Sequence, residues 1–547
     1  MSKRYGMTID LNRCVGCQTC TVACKHANDT LPEVQWRRVL DVETGTFPDV
    51  QRLFLVTGCQ HCAEPPCVPV CPTGATFQRE DGLVAMSYDE CIGCGYCAVS
   101  CPYQARTIVH DQRWFYGQPT QQEEAVKHDD RLGVAQKCSF CVERIDEAEA
   151  TGRVPGLDLD VTPACSASCI AQAIQFGDFN DENSEVSKLV AEREHFQMHA
   201  ELGTDPQVKY LYETPAVPGR DGGREEEAHD DPASALTGQL QTFWDLRAAA
   251  NFGFGGFGAG LISMNWLITK LAGISLPALD RFALLAGAVF IAIGLFCVFL
   301  EIGRKSRFLY ALRRPQSSWM TREIYVVALL YPSIVMAYLG AGDGWRDAAG
   351  LLALLFLFCQ GKILNLAKGV PAWRARSIPN LIITSGLLEG AGLLCIAGAV
   401  LQMQAQEPDG TLFGLTRLTS LLGFALAMSA GLTWKRYLRH AELEGMGPLA
   451  IAELRRATPL LHIVGHLVPM ILLCMAFVLF IHPIFVLIGG LGACIGGLLW
   501  KVTVITRASH QQGFSLPRKP QRGSGELAAP RRPGADANAD VDAATAS

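Results

Sequence analysis

The sequence has no surplus of basic charge. Lys and Arg total 47 against 53 Asp and Glu, a formal net charge of -6, so nothing general draws the chain to nucleic acid. Its start, MSKRYGMTID, holds neither an apolar leader stretch nor a twin-arginine pair, and the expectation is a chain that is not exported. Without an oxidising compartment, disulfides are excluded. Patterned cysteine is missing from the later part. Of 21 cysteines, 16 lie before residue 170, and Cys297, Cys359, Cys395, Cys474 and Cys494 sit singly inside apolar runs.

The sixteen early cysteines fall into four groups of four. The first, in CVGCQTCTVACKHAN, is Cys14, Cys17, Cys20 and Cys24. The second is Cys59, Cys62, Cys67 and Cys71, and the third is Cys91, Cys94, Cys97 and Cys101. The fourth is split by an insertion into Cys138 and Cys141, then Cys165 and Cys169. Structural zinc favours paired knuckles a dozen or more residues apart, whereas here three cysteines crowd into seven residues, the spacing of a cuboidal iron-sulfur cluster.

In two-cluster ferredoxins the last cysteine of each run ligates the other cluster. The second and third groups, separated by a strand-and-turn stretch LVAMSYDE, follow that rule. Cys59, Cys62, Cys67 and Cys101 form one set, and Cys91, Cys94, Cys97 and Cys71 another. By elimination the first and fourth groups exchange with each other, giving Cys14, Cys17, Cys20 and Cys169 as one set and Cys138, Cys141, Cys165 and Cys24 as the last. One or two clusters would suffice to staple a small domain; four imply a row that conducts single electrons, tuned by burial and by hydrogen bonds to sulfur.

After an acidic, Pro- and Gly-rich stretch at 213–242, read as an exposed linker, the composition turns apolar. Eight runs are long enough to cross a bilayer: near 252–271, 282–300, 324–341, 346–364, 378–401, 412–434, 460–480 and 483–505. The loops after the second, fourth and sixth carry six, four and five Lys or Arg, and the tail carries six, while the opposite loops carry only Arg281 and Arg346. The positive-inside rule then places both termini and the cysteine-rich domain in the cytoplasm, on the inner membrane. The tail, 508–547, reads as disordered.

Reducing a quinone takes protons as well as electrons, so ionisable residues at the membrane boundary are the place to look for its pocket. The segment joining the second and third runs offers Glu301, Arg304, Trp319, Arg322 and Glu323. The arginines also serve as topology determinants and Trp319 as an interfacial anchor, but acids contribute little to topology. No haem is expected. His462 and His466 lie one turn apart on one helix face and cannot bracket an iron from both sides, and His440 and His482 fall outside the runs.

With these motifs the chain resembles the dimethyl sulfoxide reductase family of complex iron-sulfur molybdoenzymes. CVGCQTCTVACKHAN, HCAEPPCVPVCPTGA, DECIGCGYCAVSCPYQAR, KCSFCVERI and FGDFNDENSEVSKL resemble its four-cluster subunit; SSWMTREI and GVPAW resemble its eight-helix anchor. The resemblance implies four 4Fe-4S clusters, a menaquinone or ubiquinone site, and a separate molybdopterin catalytic subunit. Its quinol-associated positions match Glu301, where the family has His, and Glu323. Cys169 is followed by Ile170 instead of proline.

The expected architecture is an α+β ferredoxin-like polycluster domain (1–212), the linker, and an all-α eight-helix transmembrane bundle (243–507). The expected function is electron transfer and membrane anchoring between that catalytic subunit and the quinone pool, with no substrate catalysis on this chain. The partner is of the dimethyl sulfoxide reductase kind, or a cytoplasm-facing sulfite or phenylacetyl-CoA dehydrogenase. A ferredoxin-driven transporter or ion pump is the alternative; it would need ionisable groups deep in several spans, and Glu389 is the main one present.

Overall fold

The computed structural model describes residues 3–46, 49–212, 234–273, 275–405, 410–441, 443–479 and 482–515. Most of the linker and the tail from 516 lie outside the described residues.

The cysteine-rich domain is organised by the strand Tyr5–Asp10, buried at all six positions. It pairs antiparallel with Ile174–Asp178 on one side and parallel with Val208–Leu211 on the other, and His195–Phe196 completes the four-stranded sheet. Tyr5, Met7 and Ile9 alternate with Gly6, Thr8 and Asp10, yet both faces of the strand are buried. The consequence is topological: the beginning of the domain lies between two strands from its end. A hairpin of Arg37–Thr46 and Asp49–Gly58 and a shorter one of Thr76–Gln78 and Val84–Met86 carry the chain between cysteine groups.

Among the described residues, seven helices are long and apolar enough to cross a membrane: Pro277–Glu301, Trp319–Tyr338, Asp343–Asn365, Ile378–Gln404, Gly410–Ala441, Pro448–Val478 and Pro483–Arg507. The sequence expectation of eight includes a further helix, Leu246–Ala272, which is not among the seven. Its apolarity is diluted by glycines. Gly258 approaches the backbone of Gly287, and Gly260 that of Gly386 and Gly390, so this helix packs closely against Pro277–Glu301 and Ile378–Gln404, as small residues permit between membrane helices.

The two halves form one body. Arg304 donates to the carbonyl oxygens of Leu132 (2.7 Å) and Asp129, Arg307 to those of Tyr88 (2.7 Å) and Cys91 (3.2 Å), and Arg313 pairs with Glu90 at 3.0 Å. Tyr96 Oη donates to the Ile363 carbonyl at 2.7 Å and Ser318 Oγ to that of Val70 at 3.0 Å. Residues 508–515, which the sequence reading places in the tail, pack back on the interface. His510 bridges Leu240, Gln512 N donates to Gly369 O at 2.7 Å, and the Gly513 carbonyl meets His199 Nε2 at 2.7 Å.

Candidate functional site: a row of thiol sets ending on a membrane cavity

The structure brings the cysteines together in four sets. Cys20 lies among Cys14 and Cys169, with Cys17 exposed at the rim. Cys24 lies among Cys138, Cys165 and Cys141. Asn28, just past the helix Thr19–Ala27, puts its Nδ2 at 3.8 Å from both Cys24 Sγ and Cys141 Sγ. Cys62 is surrounded by Cys59, Cys67 and Cys101, and Cys94 by Cys97, Cys71 and Cys91.

Electrostatic interactions between neighbouring sets order them in space. Cys20 of the first set acts on Cys165 of the second, Cys138 of the second on Cys59 of the third, and Cys67 of the third on Cys97 of the fourth. The row therefore runs from exposed Cys17, through the Cys24 set and the Cys62 set, to Cys94. At the middle junction His61 accepts from Val84 N at Nδ1 (3.1 Å), so its Nε2 donates to the Cys138 carbonyl (3.1 Å). Burial, with the nearby Lys137 charge second, holds this imidazole well below its usual pKa, in the neutral form.

The donor sets fit 4Fe-4S clusters. Three sets bring four thiols together and the first brings Cys14, Cys20 and Cys169, with Cys17 three residues from Cys20 in the chain; no carboxylate acts on Cys20, Cys24, Cys62 or Cys94. Backbone N–H groups point at sulfur from Gly93 to Cys91 (3.4 Å), Phe140 to Cys138 (3.4 Å), Ala164 to Cys141 (3.5 Å) and Ala173 to Cys169 (3.3 Å), the contacts by which a protein tunes such clusters. Among the described residues no three His, Cys, Asp or Glu side chains close on one point as a single metal ion requires.

Beside Cys94 a cavity of about 370 Å³ opens between the domain and the bundle. Its wall is apolar, with Phe252, Phe296, Phe299, Phe308 and Met320, and its polar groups are Cys94, Trp244, Asn251, Glu301 and Glu323. Trp244 Nε1 donates to the Cys94 carbonyl at 2.9 Å. Asn251 Oδ1 and Glu323 Oε1 are buried without a hydrogen-bond partner among the described residues. Glu301 accepts from the Asp245 N–H at 3.3 Å, near exposed Asp245 and Arg247. Phe296 and Phe308 are exposed on the bundle surface.

Of the five pocket residues expected from sequence, Glu301 and Glu323 line this cavity, and Arg304, Trp319 and Arg322 do not. Arg304 is spent on the domain interface, and Arg322 on the carbonyls of Pro315 (2.8 Å) and Gln316 (2.6 Å) while its guanidinium lies 4.3 Å from the Trp319 ring. Trp244 and Asn251 were not legible as site residues, because nothing local marks them; only the approach of the domain places them beside Cys94. His462 and His466 sit elsewhere, on the π-helical turn Leu461–Leu467, their rings 5.4 Å apart.

Comparison with known proteins agrees with this geometry. The 4Fe-4S dicluster domain family matches residues 50–115. The chain is 37% identical over 261 residues to the iron-sulfur subunit of a putative dimethyl sulfoxide reductase of Halobacterium salinarum, covering 44% of this chain and 94% of that protein. It is 38% identical over 224 residues to a sulfite dehydrogenase subunit of Allochromatium vinosum, covering 38% of this chain and 82% of that protein. It is also 38% identical over 226 residues to the iron-sulfur cluster-binding subunit of a menaquinone reductase of Nitratidesulfovibrio vulgaris, covering 38% and 88%. The chain belongs to the family of iron-sulfur subunits of dimethyl sulfoxide reductase-type molybdoenzyme complexes.

Proposed function

We propose that this chain joins an electron-transfer subunit to its membrane anchor: four 4Fe-4S clusters, one in each thiol set, pass electrons between a cytoplasmic molybdopterin-containing partner and a quinone in the Cys94 cavity. The observation that carries the reading is that one cavity is lined by Cys94, from the last set of the row, together with Glu301 and Glu323 of the helical half. When bound, the clusters supply single electrons. The other end of the row, at exposed Cys17, is flanked by exposed Val15, Val22 and Ile170, a surface suited to the partner.

The chain's own residues supply what a quinone requires beyond electrons. The apolar wall receives the ring, and exposed Phe296 and Phe308 leave its tail a way to the lipid. The unpartnered oxygens of Asn251 and Glu323 accept hydrogen bonds from quinol hydroxyls. Glu301 stands between the cavity and exposed Asp245 and Arg247, so protons reach or leave the site from the face that carries the cluster domain. Trp244 fixes the Cys94 loop against the cavity wall. The helix Leu246–Ala272 is the first of eight spans, and the basic loops keep both termini cytoplasmic. The name of the Nitratidesulfovibrio vulgaris relative, a menaquinone reductase subunit, supports menaquinone as the quinone.

The test is quinone-coupled turnover of the complex with Glu323→Gln and Glu301→Gln. Each is expected to slow it by roughly a hundredfold, in the range of a lost acid-base group, with cluster spectra unchanged. Wild-type quinone kinetics in both variants would remove the pocket assignment, and about four irons per chain where about sixteen are expected would remove the cluster count.

A further inference from the structure

Two arginines are buried where no carboxylate among the described residues reaches them. Arg37 is 0% exposed and Arg106 5%. Arg37 Nη2 contacts Met7 Sδ at 3.3 Å, and its Nε and Nη1 have no hydrogen-bond partner. Arg106 Nη1 donates to Thr76 Oγ1 at 3.2 Å and touches Met86 Sδ at 3.5 Å, leaving Nη2 without one. Burying a guanidinium unpaired is among the most costly arrangements a fold can hold, so its countercharge must be sought in what surrounds it.

The surroundings are sulfur from two sets at once. The ionisable groups acting most strongly on Arg37 are Cys165, Cys138 and Cys24 of one set and Cys20 of the next. Those acting on Arg106 are Cys67, Cys59 and Cys101 of one set and Cys97 of its neighbour. Arg37 thus lies at the first junction of the row and Arg106 at the last.

We infer that Arg37 and Arg106 are internal countercharges, each set between two neighbouring clusters to stabilise the reduced form of both. A 4Fe-4S cluster held by four thiolates is an anion, and taking up one electron without a proton makes it more negative. A fixed cation between two such anions favours reduction of either and screens the repulsion between them when both are reduced. The low dielectric of the site strengthens the effect, and the free N–H groups face charge that no protein acceptor neutralises. This rests on the four-cluster reading above. Both arginines are positioning residues: they act on potential, not on substrate.

An EPR-monitored redox titration of the full-length chain, with iron counted on every sample, tests it. Arg37→Gln should lower reduction of the clusters in the Cys14 and Cys24 sets by at least tenfold in equilibrium constant, about 59 mV for a one-electron couple, and leave the Cys62 and Cys94 sets in place. Arg106→Gln should do the reverse, and Arg37→Lys and Arg106→Lys should restore the potentials. Unmoved midpoints at full iron, an equal shift of all four clusters, or a Lys variant that behaves as Gln overturns the inference. Should a Gln variant lose iron, the Lys variant decides: full iron with wild-type midpoints sustains it, and loss overturns it. Low iron in the wild type would instead overturn the cluster reading, and this inference with it.

Discussion

Lys25 stands where the ferredoxin run usually has proline, directly after Cys24. Its Nζ donates to the carbonyls of Thr30 (3.0 Å), Leu31 (2.5 Å) and Val34 (3.2 Å), tying down the loop that holds Asn28 against Cys24 and Cys141. The residue that breaks the motif thus performs closure by a different route. Because Cys24 lies among Cys138, Cys141 and Cys165, Cys24→Ser is expected to lose the cluster of that set first, about a quarter of the iron; loss of the Cys14-set signal instead would contradict the exchange. A buried ion pair sits in the bundle. Lys501 Nζ donates to Glu389 Oε1 (2.7 Å) and Oε2 (2.8 Å), with both side chains 0% exposed. Lys501→Met leaves a carboxylate buried alone and should cost about 3–5 kcal/mol, while Glu389→Leu with Lys501→Met recovers most of it. Thermal unfolding in detergent measures both.

At the scale of elements, the basic loop 301–323 has a role that its charge alone does not reveal. It docks the cluster domain through Arg304, Arg307 and Arg313, and the contact closes where Gly93, Gly133 and Gly303 meet backbone to backbone. Gly93 and Gly133 have φ of +70° and +64°, so side chains are strained there as well as crowded. Gly303 has no such constraint, which makes it the cleaner probe. A Cβ at Gly303 would strike the carbonyl of Gly133, so Gly303→Val should part the interface at an overpacking cost of about 1–3 kcal/mol. The expected result is slowed quinone reaction with normal cluster spectra, read by stopped-flow reoxidation; unchanged rates would show that the interface does not need this close approach.

On the scale of the whole molecule, the chain enters and leaves the helical half at one face, the face that carries the cluster domain. Leu240 bridges His510, and residues 512–514 bond to Gly369, His199 and Leu236. Sidedness is therefore a property of the entire chain, and protease added to intact cells is expected to spare the N-terminal domain and to cut it only after rupture. Removing iron separates the halves energetically. The cluster domain buries most of its thiols in its core and depends on what they bind, whereas the bundle is held by helix packing. Iron removal should abolish the lower-temperature calorimetric transition and leave the helical one.

Much of this was legible in sequence. Cysteine spacing is local, set by the few residues that loop around a cluster, so the four groups could be read from the chain. Apolar runs, being summed over segments, likewise revealed the membrane half. The glycine-diluted helix Leu246–Ala272 shows the limit of that sum: its place at the centre of the bundle comes from close backbone approach, which hydropathy does not measure. The residues of the cavity were half legible, since an acid beside an apolar run is conspicuous and Trp244 or Asn251 is not.

The amino-acid sequence by itself determined the number and grouping of the thiols and the existence of a membrane half, because each depends on spacing or composition along the chain. Only the tertiary structure decided the order of the sets in space, the placement of Arg37 and Arg106 between them, and the meeting of Cys94 with Glu301 and Glu323. Those depend on contacts between segments tens to hundreds of residues apart, such as the strand Tyr5–Asp10 lying between Ile174–Asp178 and Val208–Leu211. No local pattern encodes such contacts, because they are set by which buried surfaces find one another.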